Sequence, residues 1–66
     1  MSWVSSGVEG IEINWAENKI RWRTEKLENN IYAIFGMLHR LLDIKVLTES
    51  IKEENGYFIA EFVKDE

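Results

Sequence analysis

Near its start the chain alternates apolar and polar residues over two short stretches. Ile11, Ile13 and Trp15 are interleaved with Glu12 and Asn14. Beyond Ala16-Glu17-Asn18-Lys19 the alternation resumes, with Ile20, Trp22 and Thr24 set against Arg21 and Arg23. A period of two marks a half-buried strand, so residues 11–24 predict a β-hairpin. A loop of two or of four residues pairs Trp15 with Ile20 and Ile13 with Trp22. That register gathers the apolar side chains on one face. It sets Glu12 opposite Arg23 and Asn14 opposite Arg21 on the other, a favourable cross-strand arrangement.

The period then changes. Leu27, Ile31, Ile34, Phe35, Leu38, Leu41 and Leu42 recur at spacings of three and four, which places them on one side of a helix. Thr24 is suited to cap that helix, and Glu25 and Glu28 complement the positive end of its dipole. Past Asp43 the stripe fails, because Lys45 would fall at its centre and Ile44 and Leu47 outside it. The helix is therefore expected to run from Glu25 to about Asp43.

In the last third, Asn55-Gly56 is a type I′ turn signal, followed by the aromatic and β-branched run Tyr57 to Val63. A hairpin about that turn pairs Ile51 with Ala60 and Ser50 with Glu61. It places Leu47, Ile51, Phe58, Ala60 and Phe62 on one face, with Glu49 and Glu53 discordant among them. The alternative over 46–54 is a second helix with Gly56 as its C-terminal cap. With the hairpin, the chain is expected to be one small α+β domain spanning 1–66, of order ββαββ. Its single antiparallel sheet would carry the amphipathic helix on one face. Residues 1–7 are expected to be a flexible lead-in, or a short edge strand if Trp3 finds a pocket.

Composition narrows the class. The 66 residues are 45% hydrophobic and 30% charged, the balance of a soluble globular protein. No apolar run approaches the roughly 18–20 residues of a membrane span, and the N-terminus lacks the features of a secretory signal. The chain contains no cysteine, which excludes disulfides, thiolate metal sites and a cysteine nucleophile. A cytoplasmic protein without a membrane partner or cofactor is expected. A chain this short gains only a small core against its conformational entropy, so completion by a partner subunit or another protein is favoured from the outset.

The net charge of −4 argues against a general phosphate-backbone binder. Its distribution is uneven. Lys19, Arg21, Arg23 and Lys26 cluster with Trp15 and Trp22, whereas Glu49, Glu53, Glu54, Glu61, Asp65 and Glu66 crowd the C-terminal part. Two binding readings follow. Trp15, Lys19, Arg21, Trp22 and Arg23 could contact single-stranded nucleic acid by stacking and charge. Glu49, Glu53, Glu54 and Glu61 could mimic a nucleic-acid backbone toward a basic protein. The hairpin registers count against both, because they turn Trp22 away from the arginines and split the acids between faces.

Catalytic chemistry has little to stand on. His39 is the single histidine, and Asp43 lies one helical turn beyond it. Together they supply at most two metal ligands, where a zinc site takes three or four. Ser2, Ser5 and Ser6 have no base partner in the pattern. Gly7 and Gly10 lack the spacing and lysine of a phosphate loop.

The helix face away from the stripe is more informative. Tyr32, Ala33, Gly36, Met37 and Arg40 lie there, and Ile31 to Leu38 contains no charged side chain at all. These five residues are the expected protein interface. Tyr57, Ile59 and Val63 fall on the second face of the last strand and leave further apolar surface without a cover. The chain is thus expected to be a non-enzymatic interaction module, a homodimer that acts as an inhibitor or adaptor by occupying a partner protein's surface. This small, acidic profile is similar to that of many inhibitors encoded by phages and mobile elements. The similarity is compositional and covers no motif.

Overall fold

The computed structural model describes residues 3–24 and 31–64. Five strands and one helix lie in the order β1 (Val4–Ser5), β2 (Glu12–Asn14), β3 (Lys19–Arg23), α1 (Ile31–Leu42), β4 (Ile44–Glu54) and β5 (Tyr57–Lys64). The strands form a single antiparallel sheet of spatial order β1-β2-β3-β5-β4. The chain leaves β3, passes through α1 and returns as β4 one strand further out, and β5 fills the gap between them. The domain is α+β with one helix against the sheet, and a two-residue strand precedes the ββαββ series. The proposed start of the helix at Glu25, its capping by Thr24 and the place of Leu27 in its stripe involve residues 25–30, which lie outside the described residues.

Local chemistry explains the turns. Asn55 and Gly56 take φ values of 53° and 83°, as a type I′ turn requires of both central residues. Residues 46–54 therefore belong to a strand, and the helical alternative for them is set aside. Asp43 takes φ 57°, and its N–H donates to the His39 carbonyl at 3.0 Å. This left-handed residue ends α1 and lets Ile44 open β4 at once. At the N-terminus, the Ser6 hydroxyl accepts from the Val8 N–H at 3.1 Å, and the Ser6 N–H donates to the Ile11 carbonyl at 3.1 Å. These bonds tuck Val8 into the core and join β1 to β2.

Two registers differ from those the alternation implies. In the first hairpin Ile13 pairs with Ile20, Glu12 with Arg21 and Asn14 with Lys19, a slide of two residues from the expected set. Asn14 is the reason. Its Oδ1 accepts from the Glu17 N–H at 3.0 Å, so the turn starts at Asn14, and Asn18 closes it with φ 58°. Trp15 is drawn into the loop instead of pairing with Ile20. A slide of two preserves the faces, and the Arg21–Glu12 ion pair forms in place of Arg23–Glu12, with Nε to Oε1 at 2.6 Å.

In the second hairpin, Glu54–Tyr57, Glu53–Phe58 and Lys52–Ile59 follow the register set by the turn, but Leu47 then opposes Glu61 and Val46 opposes Phe62. The irregularity between Leu47 and Lys52 displaces the pairing by three residues, an odd number, and so exchanges the two faces of the first half of β4. Ile44 and Val46 reach the core side instead of Leu47, and Glu49 is exposed, whereas Glu53 stays opposite Phe58 on the helix side at the exposed end of the hairpin. Ser50 stitches the irregularity together. Its hydroxyl accepts from the Glu61 N–H at 2.8 Å and donates to the Leu47 carbonyl at 2.6 Å. Ser50→Ala removes that partner from both backbone groups, one of them exposed, and is expected to cost about 0.5–1.5 kcal/mol in a urea melt.

The core lies between α1 and the inner sheet face. Ile13, Ile20 and Ala60 form a fully buried row across β2, β3 and β5. Phe62, Trp22, Ile44, Phe35 and Leu38 pack around that row. Trp22 stands 5.7 Å from the Phe35 ring and 5.8 Å from the Phe58 ring, between centroids. Leu41, expected in the core stripe, is instead 63% exposed. It lies on the stripe's margin, about 60–100° round the helix from Leu38 and Leu42.

Candidate protein-binding face

Twelve residues of α1 divide into three sides. Phe35 and Leu38 face the sheet and are buried. Tyr32, Phe35, Gly36 and His39 face β4 and, with Ile44, Lys45, Val46 and Thr48, line a shallow groove of about 420 Å³. Ala33, Met37, Arg40 and Leu41 take up the rest of the circumference, and all four are exposed. The five residues expected at the interface are therefore all exposed on one helix, Tyr32 and Gly36 bordering the groove toward β4 and Ala33, Met37 and Arg40 lying beyond them. Leu41 joins them as a residue the sequence reasoning assigned to the core. Its position at the edge of the apolar stripe was the available signal.

The amount of apolar surface distinguishes this face. Tyr32 is 68% exposed and Met37 44%, so with Leu41 three of the six large hydrophobic residues left exposed among the described residues lie on this one helix. A helix facing water normally carries charge at such positions; here His39 and Arg40 are the basic residues, and no acid falls in the first turn of the described helix. The ring of Tyr32 meets Phe35 edge to face at 5.8 Å and so stands over the margin of the core. Gly36 lacks an internal reason. A Cβ at that position would meet nothing within 4 Å, and its φ is not positive. Glycine in a helix interior costs about 1 kcal/mol relative to alanine, and no contact within the described chain offsets it.

The sheet edges are poorly suited to strand addition. β1 at one edge is two residues long. β4 at the other is interrupted between Leu47 and Lys52 and carries Lys45 and Lys52, both devices that hinder edge pairing.

The outer sheet face is a knit of compensated charges. Cross-strand partners share a face, so Glu12, Arg21, Ile59 and Lys52 form one row and Arg23, Tyr57 and Glu54 another. The Arg21 guanidinium lies 4.5 Å from the Trp3 ring centroid and 4.3 Å from that of Tyr57, and its Nε binds Glu12. Arg23 donates to the Tyr57 hydroxyl at 3.4 Å, and Lys19 lies 3.8 Å from Glu17. Of the alternative nucleic-acid set, Trp22 is 4% exposed and faces the core, on the other side of β3 from Arg21 and Arg23. Trp15 sits at the end of the sheet against Phe62, with the Lys64 ammonium 5.6 Å from its ring. The structure thus separates both tryptophans of that set from its arginines.

The acidic set is also dispersed. Glu49, Glu53, Glu54 and Glu61 are all exposed. Glu54 and Glu61 lie on the outer face, with Glu61 opposite Lys19, whereas Glu53 opposes Phe58 on the helix side. The carboxylates of Glu53 and Glu54 are thus directed to different faces of the sheet.

Among the described residues, no group of three or more His, Asp or Glu side chains could hold a metal ion, and no helix is long and apolar enough to cross a membrane. His39 and Asp43 meet through their backbones at the end of α1. The hydroxyls of Ser5 and Ser6 are used within the β1–β2 turn, where that of Ser5 accepts from the Gly7 N–H at 3.2 Å. Gly7 and Gly10 supply the positive φ values of that turn. No protein family, curated protein or solved structure matches the chain.

Proposed function

We propose that this chain is a non-enzymatic protein-interaction module that acts as an inhibitor or adaptor by occupying a surface on a partner protein, with the outer side of α1 as its contact face. One observation carries the reading: Met37 and Leu41 expose large apolar surface side by side, and Tyr32 exposes more at the other margin of the same twelve-residue helix, whose inner side is already committed to the core. Burying such residues against a partner removes apolar area from water at about 25 cal/mol per Å². Tyr, Met and Arg are also the residue types enriched at protein interfaces, and Met adapts to an irregular surface. The compositional likeness to small inhibitors of phages and mobile elements agrees with this role. A cytoplasmic homodimer is the expected form.

The test compares capture from a lysate of the source organism by the wild-type chain and by the double variant Met37→Glu/Leu41→Glu. Both positions are exposed, so the variant is expected to keep its fold by circular dichroism. A specific partner should be retained by the wild type after nuclease treatment and be lost with the variant, a drop of at least about tenfold. Capture that vanishes with nuclease would instead favour single-stranded nucleic acid bound on the outer sheet face. Capture unaffected by the double variant would remove α1 from the contact.

A further inference from the structure

We infer that the ridge Tyr32–Gly36–Arg40 seats a second copy of this chain, helix against helix in antiparallel orientation, with a twofold axis passing at Gly36. The inference rests on the reading of α1 as a contact helix and assigns the occupant of one part of it. Residues four apart form a ridge along a helix, and such ridges pack against one another at interaxial distances of about 8–10 Å. Gly36 stands at the middle of this ridge in open space, where no contact among the described residues requires a glycine. A second helix crossing there would meet no side chain at Gly36 itself, which favours the short end of that range.

The neighbours of Gly36 are complementary under that symmetry and under no other simple one. Tyr32 precedes Gly36 by four residues and Arg40 follows it by four, and both are exposed. A twofold axis at Gly36 in an antiparallel pair puts Tyr32 of each copy level with Arg40 of the other. Each guanidinium then meets an aromatic face, a contact formed twice per dimer. A parallel pair in the same register would instead bring Arg40 against Arg40. Within one helix the two residues are about 12 Å apart along the axis and cannot satisfy each other. The arrangement leaves Met37 and Leu41, further round the circumference, open to a different protein. The edges of the sheet contribute no competing route, since one is two residues long and the other is interrupted.

Light scattering coupled to size exclusion, at concentrations up to the hundred-micromolar range, tests this on the full chain. The wild type is expected to be a dimer. Gly36→Leu should weaken association by about tenfold or more, the scale of an overpacked contact, while leaving the circular dichroism of the monomer unchanged. Arg40→Glu alone should also weaken it, and adding Tyr32→Lys to Arg40→Glu should restore the dimer through an ion pair across the axis. A monomeric wild type, or Gly36→Leu dimerising like the wild type, overturns the inference. Failure of Tyr32→Lys to rescue Arg40→Glu overturns the antiparallel register. Retention of a partner by a monomeric wild type, lost with Met37→Glu/Leu41→Glu, would overturn the dimer alone and leave the contact role of α1 standing.

Discussion

Phe62→Ala is expected to lower the melting temperature by more than about 12 °C and leave the domain partly unfolded at room temperature. Phe62 is the largest of the fully buried side chains among the described residues, lies in β5 between β3 and β4, and packs in a T-shaped contact with Trp15, centroids 5.8 Å apart. Removing a buried phenylalanine side chain costs about 3–5 kcal/mol. A chain of this size has a total stability of only about 3–10 kcal/mol, and each kcal/mol moves the midpoint of such a small domain by about 4–8 °C. Thermal unfolding followed by far-ultraviolet circular dichroism would measure the shift. A change of only a few degrees would mean that the inner sheet face is not the core.

Trp22→Ala should have a comparable effect, a loss of about 3–5 kcal/mol, because the indole fills the space between Phe35 on the helix and Phe58 on the sheet. Trp22→Phe should cost much less. The indole Nε1 is buried and has no hydrogen-bond partner among the described residues, so against them the ring contributes through packing, which phenylalanine largely retains. Paired urea melts of the two variants would show the difference. Equal, large losses would indicate that the Nε1 donor matters. The same experiment bears on function, since a structural role for Trp22 takes it out of any stacking surface.

The parts of this fold legible in the sequence are those governed by local patterning. Periodicity of two located β2 and β3, the stripe from Ile31 to Leu42 located α1, and Asn55-Gly56 with the aromatic and β-branched run behind it located the second turn and β5. Side chains that bond to the backbone were not legible. Asn14 starts its turn a residue early by accepting from Glu17, which slides the first hairpin by two positions and shifts the ion pair from Arg23 to Arg21. Ser50 holds an odd displacement in β4 and exchanges Leu47 for Val46 on the core side. An alternation rule counts positions and has no means of registering an inserted hydroxyl. Trp3 was similarly obscure: its partner Arg21 is eighteen residues away, and only the sheet order brings them together.

Much of the candidate face was readable, because Tyr32, Ala33, Gly36, Met37 and Arg40 follow from helical geometry alone, and the structure places all five in solvent. Leu41 was not, since a residue at the margin of an apolar stripe is buried or exposed according to where the sheet beneath it ends. The two sheet edges, one short and one interrupted, were also beyond the pattern. Neither edge invites strand addition, which leaves the weight of the interaction reading on the helix.

Site-specific photocrosslinking inside cells of the source organism tests the central claim most directly. A photoreactive phenylalanine derivative is placed at Met37 on the outer side of α1, or at Ile59 on the outer sheet face. The account predicts a discrete adduct from position 37 with a protein other than the chain itself, insensitive to nuclease, and none from position 59. An adduct from position 59 alone, or none from either position, would contradict it.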